Sequence, residues 1–232
     1  MRAIQILVSA SVMCMGFVMG AQAYEAGDFI VRAGTVTVAP NTSASTPELN
    51  GNNLYGANVD VKSDTQLGLT AVYMLTPEIG LELLAATPLT HDIRGDKTAA
   101  SYLGTSNLGS TKELPPTLSV QYYFNNSSAL TPYVGLGVNY TKFWNEDAGS
   151  QLNATLGGDV DLSLDNSRGL AAEGGVDFNL GNNWLLNASV WYIDIDTNAT
   201  YTVKNGALAS ARVKSDVSLD PWVYMASVGY KL

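Results

Sequence analysis

The chain has 232 residues, only 14% of them charged, and a formal net charge of −9 at pH 7. An acidic balance excludes a nucleic-acid binder, which needs a basic stripe, and is read here as solvated loops. Beyond the N-terminal segment no apolar run approaches the roughly 18 residues of a membrane-crossing helix. Gly, Asn, Ser and Thr instead separate short alternating stretches, the pattern of an all-β chain.

The first segment is expected to be removed. Arg2 is followed by an apolar run from Ile4 to Met19 and by Ala21-Gln22-Ala23, a small-x-small cleavage site. Residues 1–23 therefore read as a secretory signal peptide and residues 24–232 as one outer-membrane domain. The run is short for a spanning anchor and ends on a cleavage signature. Cys14 lies inside it, so disulfides play no part in the mature chain.

Eight alternating segments follow. Asp28 to Val38 sets Phe29, Val31 and Ala33 against Ile30, Arg32 and Gly34. Asp64 to Met74 sets Leu67, Leu69, Ala71 and Tyr73 against Gln66, Gly68 and Thr70. The third, Ile79 to about Ile93, puts Leu81, Leu83 and Ala85 opposite Glu82, Leu84 and Ala86. Leu114 to Phe124 puts Leu118, Val120, Tyr122 and Phe124 opposite Thr117, Ser119, Gln121 and Tyr123. Pro132 to Trp144 opposes Val134, Leu136, Val138 and Tyr140 to Tyr133, Gly135, Gly137 and Asn139. In Arg168 to Leu180, Leu170, Ala172, Val176 and Phe178 oppose Ala171, Glu173 and Asp177. In Trp184 to about Val203, Leu186, Ala188, Val190 and Tyr192 join Trp184 against Asn187, Ser189 and Trp191. That phase breaks at Asp194 and Asp196, either because the strand has left the membrane or because a bulge resets it. The last segment closes the chain: Trp222, Tyr224, Ala226, Val228, Tyr230 and Leu232 on one face, Val223, Met225, Ser227, Gly229 and Lys231 on the other.

The connections alternate in length. Thr76-Pro77-Glu78, Asn125 to Leu130 and Gly181-Asn182-Asn183 are tight. Residues 39–63, 94–113, 145–167 and 204–213 are longer links, and the stretch 150–164 in the third reads as a short helix or an extension of strand six. Short turns at one rim, long loops at the other and an even strand count predict an eight-stranded antiparallel transmembrane β-barrel, its long loops extracellular and its short turns periplasmic. In hydrocarbon every backbone polar group must be paired, and only closure removes the edges. A soluble ligand barrel shows the same alternation with the faces exchanged. Aromatic residues near strand ends, such as Tyr73, Phe124, Phe178, Trp184 and Trp222, favour the membrane.

Several stretches carry a resemblance: Ser63-Asp64-Thr65-Gln66-Leu67-Gly68; Gly80-Leu81-Glu82-Leu83-Leu84-Ala85-Ala86-Thr87-Pro88; Leu114-Pro115-Pro116-Thr117; Pro132 to Thr141; Val190-Trp191-Tyr192-Ile193-Asp194-Ile195-Asp196-Thr197; and Asp220-Pro221-Trp222-Val223. In order and spacing they resemble the OmpW family of small outer-membrane barrels, most of all its pseudomonad type. The resemblance implies a passive uptake channel for small, mainly hydrophobic molecules, which enter from outside and leave sideways into the membrane. It places the lateral gate at Pro115 and Pro116. Two prolines in succession donate no N–H and must break the ladder locally; they could equally just start the fourth strand. It also implies that Leu84 and Trp191, on inward faces, narrow the channel, although in eight strands filling the lumen with side chains is the physical default. Gln121 and Asn139 join them as candidate cargo-binding residues.

The inward charges Arg32, Glu82, Glu173 and Asp177 read first as a structural network bridging strands and second as a selectivity device. No cofactor and no metal site is expected. With one His and no mature Cys only carboxylates remain, and Asp194, Asp196 and Asp220 could hold Ca²⁺ weakly at the outer rim. An enzyme would need an activated nucleophile; the single histidine, His91, stands beside Asp92 near a loop and reads as exposed, with Ser101 an example of a nearby serine. The expected partners are membrane lipid and lipopolysaccharide, which Arg168 could reach by snorkelling, the barrel-assembly machinery through the last strand, and a small-molecule cargo; the chain is expected to be a monomer. The family commonly ends in Phe where this chain has Leu232. Small neutral amino acids, and a surface or adhesion role for the long loops, remain open as alternatives.

Overall fold

The computed structural model describes residues 24–126, 128–206 and 208–232; the expected signal peptide, with Cys14, lies outside the described residues. Eight long strands form the body: β1 (Phe29–Ala39), β2 (Asp64–Met74), β3 (Ile79–Ala86), β4 (Thr117–Tyr123), β5 (Leu130–Asp147), β6 (Ser167–Gly181), β7 (Trp184–Ile193) and β8 (Trp222–Lys231). Each pairs antiparallel with the next, and β8 returns to β1 in the register Val31↔Tyr230 and Val36↔Met225. The sheet is a closed meander, so no edge is left for hydrocarbon to meet.

Parity decides which way each residue faces. Leu136 and Leu170 are 73% and 69% exposed, and Leu67, Leu83, Val120, Val138 and Tyr224 share their outward direction. Such an apolar belt is tolerable only against lipid. Aromatic pairs mark its two rims. Phe29 lies opposite Tyr73, and Trp184 meets Tyr230 edge-on at 5.0 Å, near the short turns; Tyr192 meets Trp222 at 5.3 Å at the other end. Amphipathic rings of this kind belong at the two water interfaces. The sharpest turn, Gly181-Asn182-Asn183, runs at φ 84°, 51° and 66°, a left-handed path open to Gly and Asn at little cost.

Inside, large and small residues interlock across β5 and β6. Tyr133 faces Gly175, where a Cβ would lie 2.4 Å from the ring, and Glu173 faces Gly135, where a Cβ would lie 2.2 Å from its carboxylate. The glycines therefore make room for Tyr133 and Glu173.

The long links are more ordered than the sequence indicates. The expected third strand does not run through to Ile93: it stops at Ala86, and after Thr87-Pro88 a new hairpin, Leu89–Gly95 with Asn107–Leu114, rises outward. Likewise the expected fourth strand, 114–124, splits at Pro115-Pro116. The stretch 150–164 contains both options, helix α2 (Ser150–Leu156) and a strand (Val160–Leu164). The seventh segment ends at Ile193 and restarts at Asp196, in a second sheet built from Val160–Leu164, Asp196–Val203 and Arg212–Ser218 with short pieces of the first link. The phase break at Asp194 is thus the point where the chain changes sheets. Helix α1 (Lys97–Leu103) bridges the hairpin, its N-cap Asp96 accepting from Ala99 N at 2.7 Å and Gly104 closing it at φ 71°. Together these pieces build a second storey over the outer mouth of the barrel.

Candidate functional site

The barrel interior is layered. At the end with the short turns it is filled. Arg32, 1% exposed, sends Nη2 to Asp177 Oδ2 at 2.7 Å and Nη1 to Glu82 Oε2 at 3.1 Å, and it also donates to Tyr123 Oη at 3.1 Å. Tyr24 reaches in from the N-terminus and donates to Asp177 at 2.6 Å. Asn187 donates to Asp177 Oδ1 at 2.9 Å and to Tyr133 Oη at 3.0 Å. An apolar cluster of Ile30, Val72, Met74 and Leu185 packs around Tyr24, Tyr123 and Tyr133. A charge at this depth is stable only when paired and hydrogen-bonded, and Arg32 meets that need by tying β1, β3, β4 and β6 together.

One layer up, Glu173 and Gln121 lie near Trp191. Both Glu173 oxygens, Gln121 Nε2 and Trp191 Nε1 are buried without hydrogen-bond partners. Gln121 Oε1 accepts from Tyr123 at 2.6 Å, so its acceptor end belongs to the plug.

Above this the lumen turns greasy. Trp191, Leu84, Val36, Val38, Ile193, Val223 and Met225 form one buried cluster that continues through Leu89, Phe143 and Val217 into the second storey. There it opens on a cavity of about 90 Å³ lined by residues such as Ile93, Leu108, Phe143, Leu152, Leu164 and Val217. One water needs only about 10–15 Å³, so a small organic molecule is the natural scale of occupant. On its wall sit His91 and Glu113, each 2% exposed, with Nε2 and Oε1 3.1 Å apart. His91 Nδ1 is 2.6 Å from Lys62 O. Burial alone would lower the affinity of this imidazole for a proton; Glu113 and the Lys62 carbonyl outweigh it and raise His91 above its ordinary value. His91 is therefore not the exposed loop residue that the sequence indicates, and its partner is Glu113 rather than Asp92. Ser101 turns away to donate to Thr98 O at 2.7 Å.

The wall has a seam. Pairing between β3 and β4 stops at Leu84↔Thr117 and resumes in the outer hairpin only at Leu89↔Glu113. Pro115 and Pro116 occupy the interval. Pro116 stays held on its other side, its carbonyl accepting from Tyr140 N at 3.1 Å and from Asn139 Nδ2 at 3.2 Å. On the lipid side a groove covers this place, lined by Leu83, Pro116, Leu118, Asn139, Arg168 and Asp194. Asn139, of inward parity and 4% exposed, belongs to the strand segment that floors this groove.

A family model described as "OmpW family" matches residues 25–232. The chain belongs to the OmpW family. Outer membrane protein W of Vibrio cholerae is 49% identical over 212 residues, which cover 90% of each chain. The protein of the same name from Escherichia coli K12 is 45% identical over 211 residues, again 90% of each. The crystal structure of OprG from Pseudomonas aeruginosa superposes with a TM-score of 0.83 at 44% identity, covering 90% of this chain and 98% of that one. The eight-stranded closed barrel and the outer membrane as its place follow from these together with the lipid-facing belt.

In this OmpW-family barrel the residues singled out from sequence do not form one site. Leu84 and Trp191 meet in the apolar collar, Gln121 belongs to the plug, and Asn139 stands at the seam. Of the four inward charges, Arg32, Glu82 and Asp177 form one network, whereas Glu173 makes no ion pair with Arg32. Asp194, Asp196 and Asp220 do come together, their oxygens within 4.8 Å. Arg168 lies over the Tyr140 ring at 5.7 Å, on the groove rim. Sequence alternation puts Tyr123, Tyr133 and Asn187 on the inward faces but gives them no role, although they share those faces with Gln121, Asn139 and Trp191; Tyr24 and Glu113 were missed, since both lie outside the alternating segments.

Proposed function

We propose that this barrel passes small apolar molecules from outside into the plane of the outer membrane, passively, by way of the cavity, the apolar collar and the seam at Pro115-Pro116. What carries the reading is the closed floor. The Arg32–Asp177–Glu82 network and the three tyrosines fill the lumen beneath the collar, so an axial path to the periplasm would have to break paired, buried charges. A molecule that has entered the collar meets Leu84 and Trp191, and next to Leu84 lies the rung Thr117↔Asn139 that borders the seam. The prolines support an exit there because they have no N–H with which to close the ladder.

The lining favours apolar cargo over small neutral amino acids. A zwitterion entering an apolar collar loses the hydration of two charges, and an unpaired buried charge costs several kcal/mol or more. The test is uptake by cells and by proteoliposomes of a short aromatic or aliphatic hydrocarbon beside a small neutral amino acid, with Trp191→Ala included. The hydrocarbon is expected to enter several-fold faster than through barrel-free membrane, with a changed rate in Trp191→Ala. Equal rates with and without the barrel would defeat the reading, and faster entry of the amino acid alone would assign the other cargo.

A further inference from the structure

We infer that the outer cavity contains a hydroxyl-recognition site, formed by His91 and Glu113, for a small neutral alcohol or phenol. The inference deepens the reading of apolar uptake and rests on it for its physiological meaning, though the site can be tested alone.

His91 and Glu113 come from adjacent strands of the outer hairpin, in which Leu89↔Glu113 and His91↔Thr111 are cross-strand partners. Both are 2% exposed, on a mainly apolar wall that includes Ile93, Leu108 and Phe143. An apolar pair of the same volume would serve such a wall as well or better, because buried ion pairs seldom repay their desolvation. The pair is also incompletely satisfied. Nε2 lies 3.1 Å from Glu113 Oε1 but not in line for a hydrogen bond, and neither His91 Nε2 nor Glu113 Oε2 has a hydrogen-bond partner. With Nδ1 held against Lys62 O at 2.6 Å and a carboxylate beside the ring, the imidazolium form places a proton on Nε2. One donor and one acceptor are thus left unused side by side on the wall of an apolar cavity.

That combination selects the ligand. A hydroxyl donates once and accepts, so it can accept a hydrogen bond from Nε2–H and donate one to Oε2. An ammonium has donors only and would meet the positive imidazolium. An ether accepts but cannot donate, and a hydrocarbon does neither. The pair as a whole is neutral, which favours a neutral guest. Water can also satisfy both groups, but it leaves the surrounding apolar wall unfilled, whereas an alcohol brings a hydrocarbon body to it.

Besides Glu113 on the partner strand, the charged and titratable groups on the cavity wall are Lys214, Tyr102 and Tyr201, the last with its buried hydroxyl also unpartnered, and Asp64, at the start of β2, adds to the field on the ring. Because the chain has a single histidine, the ring is its own reporter. The purified protein, ¹⁵N-labelled at histidine and placed in lipid nanodiscs, is titrated with 1-hexanol, hexane and 1-hexylamine at pH 6, where the ring is charged. Hexanol is expected to move the Nε2 resonance saturably, with an affinity about tenfold above that of hexane, the scale of a hydrogen bond to a charged group. The amine is expected to bind more weakly than the alcohol. In Glu113→Gln the preference is expected to shrink to within about twofold. Equal shifts by hexanol and hexane, or none by either, would overturn the site. If Glu113→Gln does not fold, Thr111→Val serves as the control for general disturbance of the wall, and the ligand series on the unaltered protein decides by itself. Cellular uptake of hydrocarbon separates the two claims: uptake without hydroxyl preference removes only this site, and hydroxyl binding without uptake removes only the transport reading.

Discussion

Arg32 is the residue on which the closed floor depends. It makes four-way contact with Asp177, Glu82, Tyr123 and Thr70, and the four lie on different strands. Replacing it leaves two buried carboxylates without their cation. Arg32→Ala is expected to cost about 3–5 kcal/mol of stability, read as a lower unfolding midpoint in urea with the barrel in lipid vesicles; an unchanged midpoint would mean the network is not structural. His91 makes a prediction of opposite chemistry. Its folded-state proton affinity is raised, so its contribution is fully present below the ordinary value of about 6.5 and is lost as pH climbs through the higher folded value. Protection factors of the Leu89–Gly95 amides should therefore fall on going from pH 5.5 to 8.5, and His91→Gln should flatten the trend. The inward charges were legible at this scale because a polar residue among apolar ones on an alternating strand announces its face. Tyr24 was not, since it precedes the first strand, and neither was the burial of His91. A histidine next to an aspartate looks solvated until the second storey is seen to cover it.

Gly175 exists for Tyr133, whose ring would stand 2.4 Å from any Cβ there. Gly174, next door, faces outward with only Tyr133 O at 3.9 Å. Gly175→Ala is expected to destabilise the barrel by about 1–3 kcal/mol through overpacking, and Gly174→Ala by less than about 0.5 kcal/mol. The same vesicle unfolding assay distinguishes them, and equal effects would refute the interlock. Strand existence and facing were readable from a period of two, because one side of every strand must please lipid. Strand ends were less so. Ile79 to Ile93 alternates without interruption in sequence, yet Thr87-Pro88 divides it between barrel and hairpin. The outer sheet escaped notice because several of its members, such as Ser43–Ala44 and Glu48–Leu49, are two residues long and show no period at all. Likewise α1 and α2 are each seven residues, too short for a helical stripe to stand out.

At the scale of the whole molecule, topology and chemistry coincide. A meander closed on itself satisfies the backbone, an apolar belt faces outward, a charged plug fills one end, and a packed apolar collar lies between the plug and the outer cavity. The barrel's inside was legible as narrow from strand number alone. That its polar and apolar halves are separated along the axis was not, because parity tells which face a residue takes and nothing of its depth. Uptake of a short hydrocarbon by cells carrying Pro115→Val/Pro116→Val, against cells with the unaltered protein at equal barrel abundance, tests the account most directly. Restored N–H groups should let β3 and β4 pair through the gap, so uptake should fall toward the barrel-free rate while the folded barrel is retained. Undiminished uptake through a folded double variant would show that cargo does not leave by the wall.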